Sequence, residues 1–251
     1  MRIYGLCVAA LLLGLVSFSV FAGEVNVAVA SNFAAPMERI VALFKQESGH
    51  TLKVSLGSSG KFYAQIAGGA PFDVFLAADE AIPQRLEQEG LTIGGTRFVY
   101  ALGKLVLWSA QSGFVDAQGA VLRKGGYNKL AIAEPKLAPY GMAAKDTLEK
   151  MGLWNAVQSK LVQGENITQT WQFAATGNAE LGFIALSQIT RDGKVTGGSW
   201  WLVPHDLYNP IRQSAVLLSG AKDKAAAQAF LAFLKSEKAM AIIRSFGYEL
   251  P

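Results

Sequence analysis

Six short stretches of this chain are apolar almost without interruption: Val25–Ala30, Leu52–Gly57, Asp73–Ala77, Leu105–Trp108, Leu130–Ala133 and Leu181–Leu186. A strand with one wet face alternates polar and apolar residues, whereas a solid apolar run is a strand covered on both faces. Such strands need helices on either side, and the segments between them carry that pattern. Met37, Ile40, Val41 and Phe44 recur at i, i+3, i+4 and i+7, with Gly49 placed as a stop. Lys222 to Arg244 closes the chain with helical spacing at Ala227, Phe230, Leu231 and Leu234. The alternation predicts an α/β fold with mostly parallel sheets.

The pattern leaves open whether there is one sheet or two. The middle of the chain has strands and helices of its own, and no Pro/Gly/Ser linker, repeat or low-complexity segment marks a boundary. If there are two lobes, strand-like crossings near Phe98–Leu102 and Ile211–Leu217 join them. Two crossings permit hinge closure around a ligand and confine it to one axis.

The N-terminus reads as a secretory signal peptide, residues 1–22. A basic start at Arg2 precedes an apolar run from Gly5 to Phe21, and Val20-Phe21-Ala22 has the small residues that a signal peptidase accepts. Cutting after Ala22 leaves 229 of the 251 residues and lowers the net charge from +4 to +3, because Arg2 goes with the leader. The one cysteine, Cys7, goes with it too, so the mature chain has neither disulfide nor thiol chemistry and is stabilised by its core alone. Cys7 precedes the apolar run, which argues against a lipid anchor. The mild positive charge is spread along the chain, without the basic cluster of a nucleic-acid groove.

Four places share one design, in which a strand ends, a small or polar residue turns the chain and a helix begins. They are Ala30-Ser31-Asn32-Phe33-Ala34, Gly57-Ser58-Ser59-Gly60-Lys61, Glu134 to Gly141, and Gly164-Glu165-Asn166-Ile167-Thr168. A helix start leaves backbone N–H groups without intrahelical partners, and the helix dipole favours negative charge there. Ser31 and Ser59 add hydroxyl donors and Asn32 an amide donor. Each such residue also serves as an ordinary helix cap, and convergence of the four turns is not visible in the pattern.

Other chemistries fit poorly. The Gly57-Ser58-Ser59-Gly60-Lys61 segment lacks the last glycine of a nucleophile elbow. It has Ser55 where a P-loop needs glycine and Phe62 after the lysine. The two histidines, His50 and His205, read as loop residues, and no His/Cys/Asp/Glu group has metal-ligand spacing. Asp73 and Asp79, flanking a buried strand, read as structural.

The order and spacing of several motifs resemble the periplasmic molybdate-binding proteins of ABC uptake systems. These are Val29-Ala30-Ser31-Asn32-Phe33; Gly57-Ser58-Ser59-Gly60 with Tyr63-Ala64-Gln65-Ile66; Pro71 to Asp79; Ala131-Ile132-Ala133-Glu134-Pro135 with Ala138-Pro139-Tyr140-Gly141; and Leu181-Gly182-Phe183. The resemblance spans nearly all of the mature chain. It implies a two-lobed solute-binding fold with two hinge crossings: lobe 1 from 23–100 and 216–251, lobe 2 from 101–215. It implies an oxyanion, molybdate or tungstate, held between the lobes without catalysis or cofactor, and molybdenum without direct protein ligands. Ser31 and Ser59 would give hydroxyls and backbone N–H groups, and Tyr140 and Ile167 backbone N–H groups. One branch of that family uses a tyrosine hydroxyl where this chain has Ala185; the other uses an asparagine after the first serine, matching Asn32. The expected setting is the periplasm, as a monomer serving a membrane ABC permease.

Overall fold

The computed structural model describes residues 22–251; the leader lies outside the described residues except for Ala22. The chain begins with β1 (Glu24–Ala30), a 3-10 turn at Ser31–Phe33, α1 (Ala34–Ser48), β2 (Thr51–Gly57), α2 (Ser59–Ala67), β3 (Val74–Leu76), α3 (Ala81–Gln88) and β4 (Phe98–Gly103). It then crosses into β5 (Leu105–Ser109), α4 (Val121–Lys124), β6 (Leu130–Ala133), α5 (Pro139–Lys150) and α6 (Trp154–Val157). There follow β7 (Leu161–Gly164), α7 (Ile167–Ala175), β8 (Leu181–Ala185), α8 (Leu186–Ile189), β9 (Thr190–Arg191), β10 (Lys194–Val195) and β11 (Ser199–Leu202). It returns through β12 (Ile211–Leu217) and ends in α9 (Lys224–Leu234) and α10 (Glu237–Ser245).

Two five-stranded sheets result, ordered β2-β1-β3-β12-β4 and β11-β5-β8-β6-β7, with β9 and β10 as a separate ribbon. The fold is two-lobed α/β, with one sheet in each lobe. Both sheets are mixed rather than mostly parallel. β1 pairs parallel with β2 and β3, while β12 runs antiparallel to β3 and β4. In the second sheet β6 pairs parallel with β7 and β8, while β5 runs antiparallel to β8 and β11. The antiparallel pairs follow from the crossings: β4 carries the chain out of the first sheet and β12 brings it back alongside. Ala101–Gly103 and Ile211–Ala215, expected in the second lobe, run in strands of the first sheet.

Apart from β2, an edge strand whose residues are partly buried or exposed, the apolar runs are explained by burial on both faces. Val25, Val27 and Val29 of β1 enter one core cluster, and Ala28 enters another. On β5, Leu105 and Leu107 face one cluster and Val106 and Trp108 the opposite one. The helix read at Met37 to Phe44 is α1, which buries Met37, Ile40 and Phe44. It stops where Gly49 adopts φ 74° and returns its N–H to the Lys45 carbonyl, a left-handed conformation cheap only for glycine. The closing segment is two helices rather than one. Ser236 breaks it, its hydroxyl accepting the Ala239 N–H at 3.3 Å as the N-cap of α10.

Candidate functional site

The four turns converge. A small cavity between the lobes is lined by Ala30, Ser31 and Asn32, by Gly57, Ser58 and Ser59, by Ala78, by Ala138, Pro139 and Tyr140, and by Ile167. All five residues singled out from the sequence (Ser31, Asn32, Ser59, Tyr140 and Ile167) are among them. None of the lining residues is charged, so polarity comes from hydroxyls and helix starts.

Each element delivers one part. β1 ends at Ala30 and places Ser31 at the start of a 3-10 turn leading into α1. β2 ends at Gly57, and Ser59 opens α2; its hydroxyl oxygen accepts the Ala78 N–H at 2.9 Å. On the second lobe, Pro139 has no N–H and begins α5, so Tyr140 carries the first amide donor of that helix. Asn166 caps α7 with its side-chain oxygen, accepting from Thr168 at 3.0 Å and Gln169 at 3.1 Å and leaving Ile167 as the first N–H outside the cap.

Asn32 differs from expectation. Its carboxamide nitrogen donates to Gln213 Oε1 at 2.8 Å and to Tyr248 Oη at 2.9 Å. Both amide protons are therefore engaged within the protein, and what Asn32 offers the cavity is its backbone. Its carbonyl accepts from Ser187 Oγ and Tyr248 Oη, each at 2.9 Å. Burial pushes the Tyr248 phenol up to about 12, so it stays protonated and keeps donating. Gln213, at a register shift in β12, also donates to Tyr140 Oη at 3.3 Å. The Tyr140 ring, 1 % exposed, is thereby tied to the strand that returns from the second lobe.

The lobes touch around the cavity. Gly60 N donates to Leu137 O at 2.9 Å, Ser31 Oγ to Asn166 Oδ1 at 3.3 Å and Thr168 Oγ1 to Ser31 O at 3.2 Å. Lys61 and Glu165 pair at 2.7 Å at the exposed rim. The bond from Ser31 is long, and a charged acceptor in the cavity would compete for that proton.

Two residues of the Gly57–Gly60 turn were not singled out from the sequence as site residues. Ser58, 3 % exposed, lines the cavity, and its hydroxyl has no hydrogen-bond partner among the described residues. Gly60 marks a close approach of the lobes; a Cβ there would lie 3.0 Å from Leu137 Cα and O. The small-residue turn was a visible signal for Gly60, whereas Ser58 could not be told from a helix cap. The two aspartates differ. Asp73 accepts from Asn26 N at 2.7 Å and Lys222 N at 2.7 Å. Asp79 accepts from Ile82 N at 2.6 Å but leaves Oδ2 unpartnered.

A larger groove adjoins the site and shares Ala78, Ala138 and Pro139 with it, but is lined largely by apolar residues together with Asp79, Asp146, Lys136 and Asn209. A dianion is better matched to the smaller cavity, with helix starts on both walls and no carboxylate in its lining.

Residues 25–249 match the family of bacterial extracellular solute-binding proteins. The molybdate-binding protein ModA of Azotobacter vinelandii is 57 % identical over 243 residues, 97 % of this chain and 96 % of that protein. The chain belongs to the ModA-like family. ModA of Rhodobacter capsulatus is 50 % identical over 97 % of this chain and 95 % of that protein. The solved periplasmic molybdate-binding protein of Azotobacter vinelandii superposes with a TM-score of 0.89 at 43 % identity, over 91 % of this chain and all of that one.

Proposed function

We propose that this chain captures molybdate, and tungstate alike, in the periplasm between its two lobes and hands it to a membrane ABC permease. The observation that carries the reading is the convergence of helix starts and serine hydroxyls from both lobes on one small cavity with no charged side chain. A tetrahedral dianion there would be held by neutral donors: Ser31 and Ser59 through hydroxyl and backbone N–H, Asn32 through its backbone N–H, and Tyr140 and Ile167 through theirs. Such bonds to a charged ligand are roughly twice as strong as neutral ones, and a site made mainly of donors favours a fully deprotonated oxyanion. The likeness to the two ModA proteins selects molybdate among tetrahedral anions. The lining offers neither histidine nor carboxylate beside its serines, which supports binding without catalysis and without a cofactor. The leader read over residues 1–22 supports export, and a single chain contains all the donors, consistent with action as a monomer.

Thermal unfolding of the mature chain with molybdate, tungstate, sulfate and phosphate in turn tests this. A ligand at 100 times its Kd adds about 2.7 kcal/mol of stability, or roughly 5–11 °C for a chain of this size. A shift that large with molybdate and tungstate alone is the expected result. A shift with sulfate or phosphate instead would replace the ligand, and none with any of the four would remove the oxyanion reading.

A further inference from the structure

Ser58 occupies the N-cap position of α2 with the extended backbone of a capping residue, φ −83° and ψ 149°, yet its side chain makes no capping bond. A serine there ordinarily accepts the N–H two or three residues on. The N–H two residues on belongs to Gly60, and Leu137 O takes it from across the cleft at 2.9 Å. The approach of the second lobe thus takes one of the two N–H groups that the hydroxyl could cap, and the hydroxyl does not turn to the other, that of Lys61. That hydroxyl is left buried, without a partner, beside the same cavity as Ser59.

Buried hydroxyls in folded proteins are nearly always satisfied, so an unpaired one in the wall of a binding cavity marks a group whose partner is the ligand. We propose that Ser58 is a further ligand donor, its hydroxyl bonding an oxygen of the captured oxyanion beside that of Ser59. The proposal rests on the oxyanion-capture reading above and extends it. The two serines differ in how they are oriented: Ser59 is fixed by the Ala78 N–H, whereas Ser58 is free to turn until an acceptor arrives. Ser58 therefore adapts to the oxyanion and Ser59 sets its register.

The experiment is titration calorimetry with molybdate on the mature wild-type chain, Ser58→Ala and Ser58→Gly, each paired with a ligand-free melt. Both variants lack the hydroxyl. Glycine is tolerated at an N-cap nearly as well as serine, whereas alanine is not. The expected result is an affinity loss of about ten-fold or more in both variants, with the ligand-free Tm of at least the glycine variant unchanged or raised. Wild-type affinity in either variant overturns the assignment. So does an affinity loss confined to variants whose ligand-free Tm has also fallen, since that is the behaviour of a structural cap. A wild-type chain that does not bind molybdate removes the functional reading itself, a failure distinct from that of Ser58.

Discussion

The hydroxyl oxygen of Ser59 accepts the Ala78 N–H, and this one bond orients the group so that its proton is left for the cavity. The next residue along, Asp79, shows the opposite situation. Burial pushes its carboxyl up to about 6, and Oδ2 has no partner. In the unfolded chain a carboxyl of this kind ionises near pH 4. Between about pH 4 and 6 the folded protein therefore holds a proton that the unfolded chain has lost. Stability contributed by this group falls as pH rises through that window and is fully lost above it. Asp79→Asn is expected to be more stable than the wild type at pH 7.5 by about 1–3 kcal/mol, the difference shrinking as pH falls towards 4. Urea melts of both proteins across that range measure it, and parallel curves would show that Asp79 does not titrate as its burial requires. Sequence gave no warning of this asymmetry: Asp73 and Asp79 flank the same strand, and only tertiary contacts leave one satisfied and the other not. The same holds for Asn32, whose amide protons are claimed by Gln213 and Tyr248, 181 and 216 residues away.

Among the elements, α2 meets the second lobe backbone to backbone. Its second residue, Gly60, lies against Leu137 with no room for a methyl group without a shift of a few tenths of an ångström. Gly60→Ala is expected to weaken molybdate binding by roughly ten-fold, about 1.4 kcal/mol, because overpacking at this contact opposes closure. Its ligand-free Tm should hold or rise, alanine being the better helix former. Calorimetry and melting on the same sample separate the two effects; equal affinity would show that the lobes need not meet there. The elements themselves were largely legible. The strands at Val25, Leu105, Leu130 and Leu181 stood out because both of their faces are covered, and α1 because its apolar stripe is periodic; β2, read at Leu52, is an edge strand and only partly buried. β7 and β11 were missed. In β7 only Gly164 is buried, and β11 alternates, with Trp200 and Leu202 exposed, so neither shows a solid apolar run. The break between α9 and α10 was missed because the apolar spacing carries on while the backbone is reset by a single serine cap.

At the scale of the molecule, buried bonds from Ser187 to Asn32 and Tyr248 and from Gln213 to Tyr140 join the lobes behind the cavity, and the contacts at its mouth are weaker. Gly60 to Leu137 and Ser31 to Asn166 are single bonds, and the Lys61–Glu165 pair is exposed. Exposed pairs contribute about 0–1 kcal/mol. On the proposed function, a ligand that touches both walls would add to these contacts and favour closure. Small-angle scattering is expected to show a smaller radius of gyration on addition of molybdate, and an unchanged one would mean that capture needs no hinge. The strand order has a consequence for how the chain is made. The second sheet is contiguous in sequence, from β5 to β11, and can fold as soon as it has emerged. The first sheet has β12 between β3 and β4, so its fourth place stays open until residue 217 has been synthesised. Its early strands must wait, their edges unpaired, for a segment nearly two hundred residues downstream of β1. Long-range pairing of this kind folds slowly and is exposed to aggregation while it waits. The first sheet of this molecule is thus expected to acquire its structure last, and such a delay would suit a chain exported before it folds, as the proposed function requires.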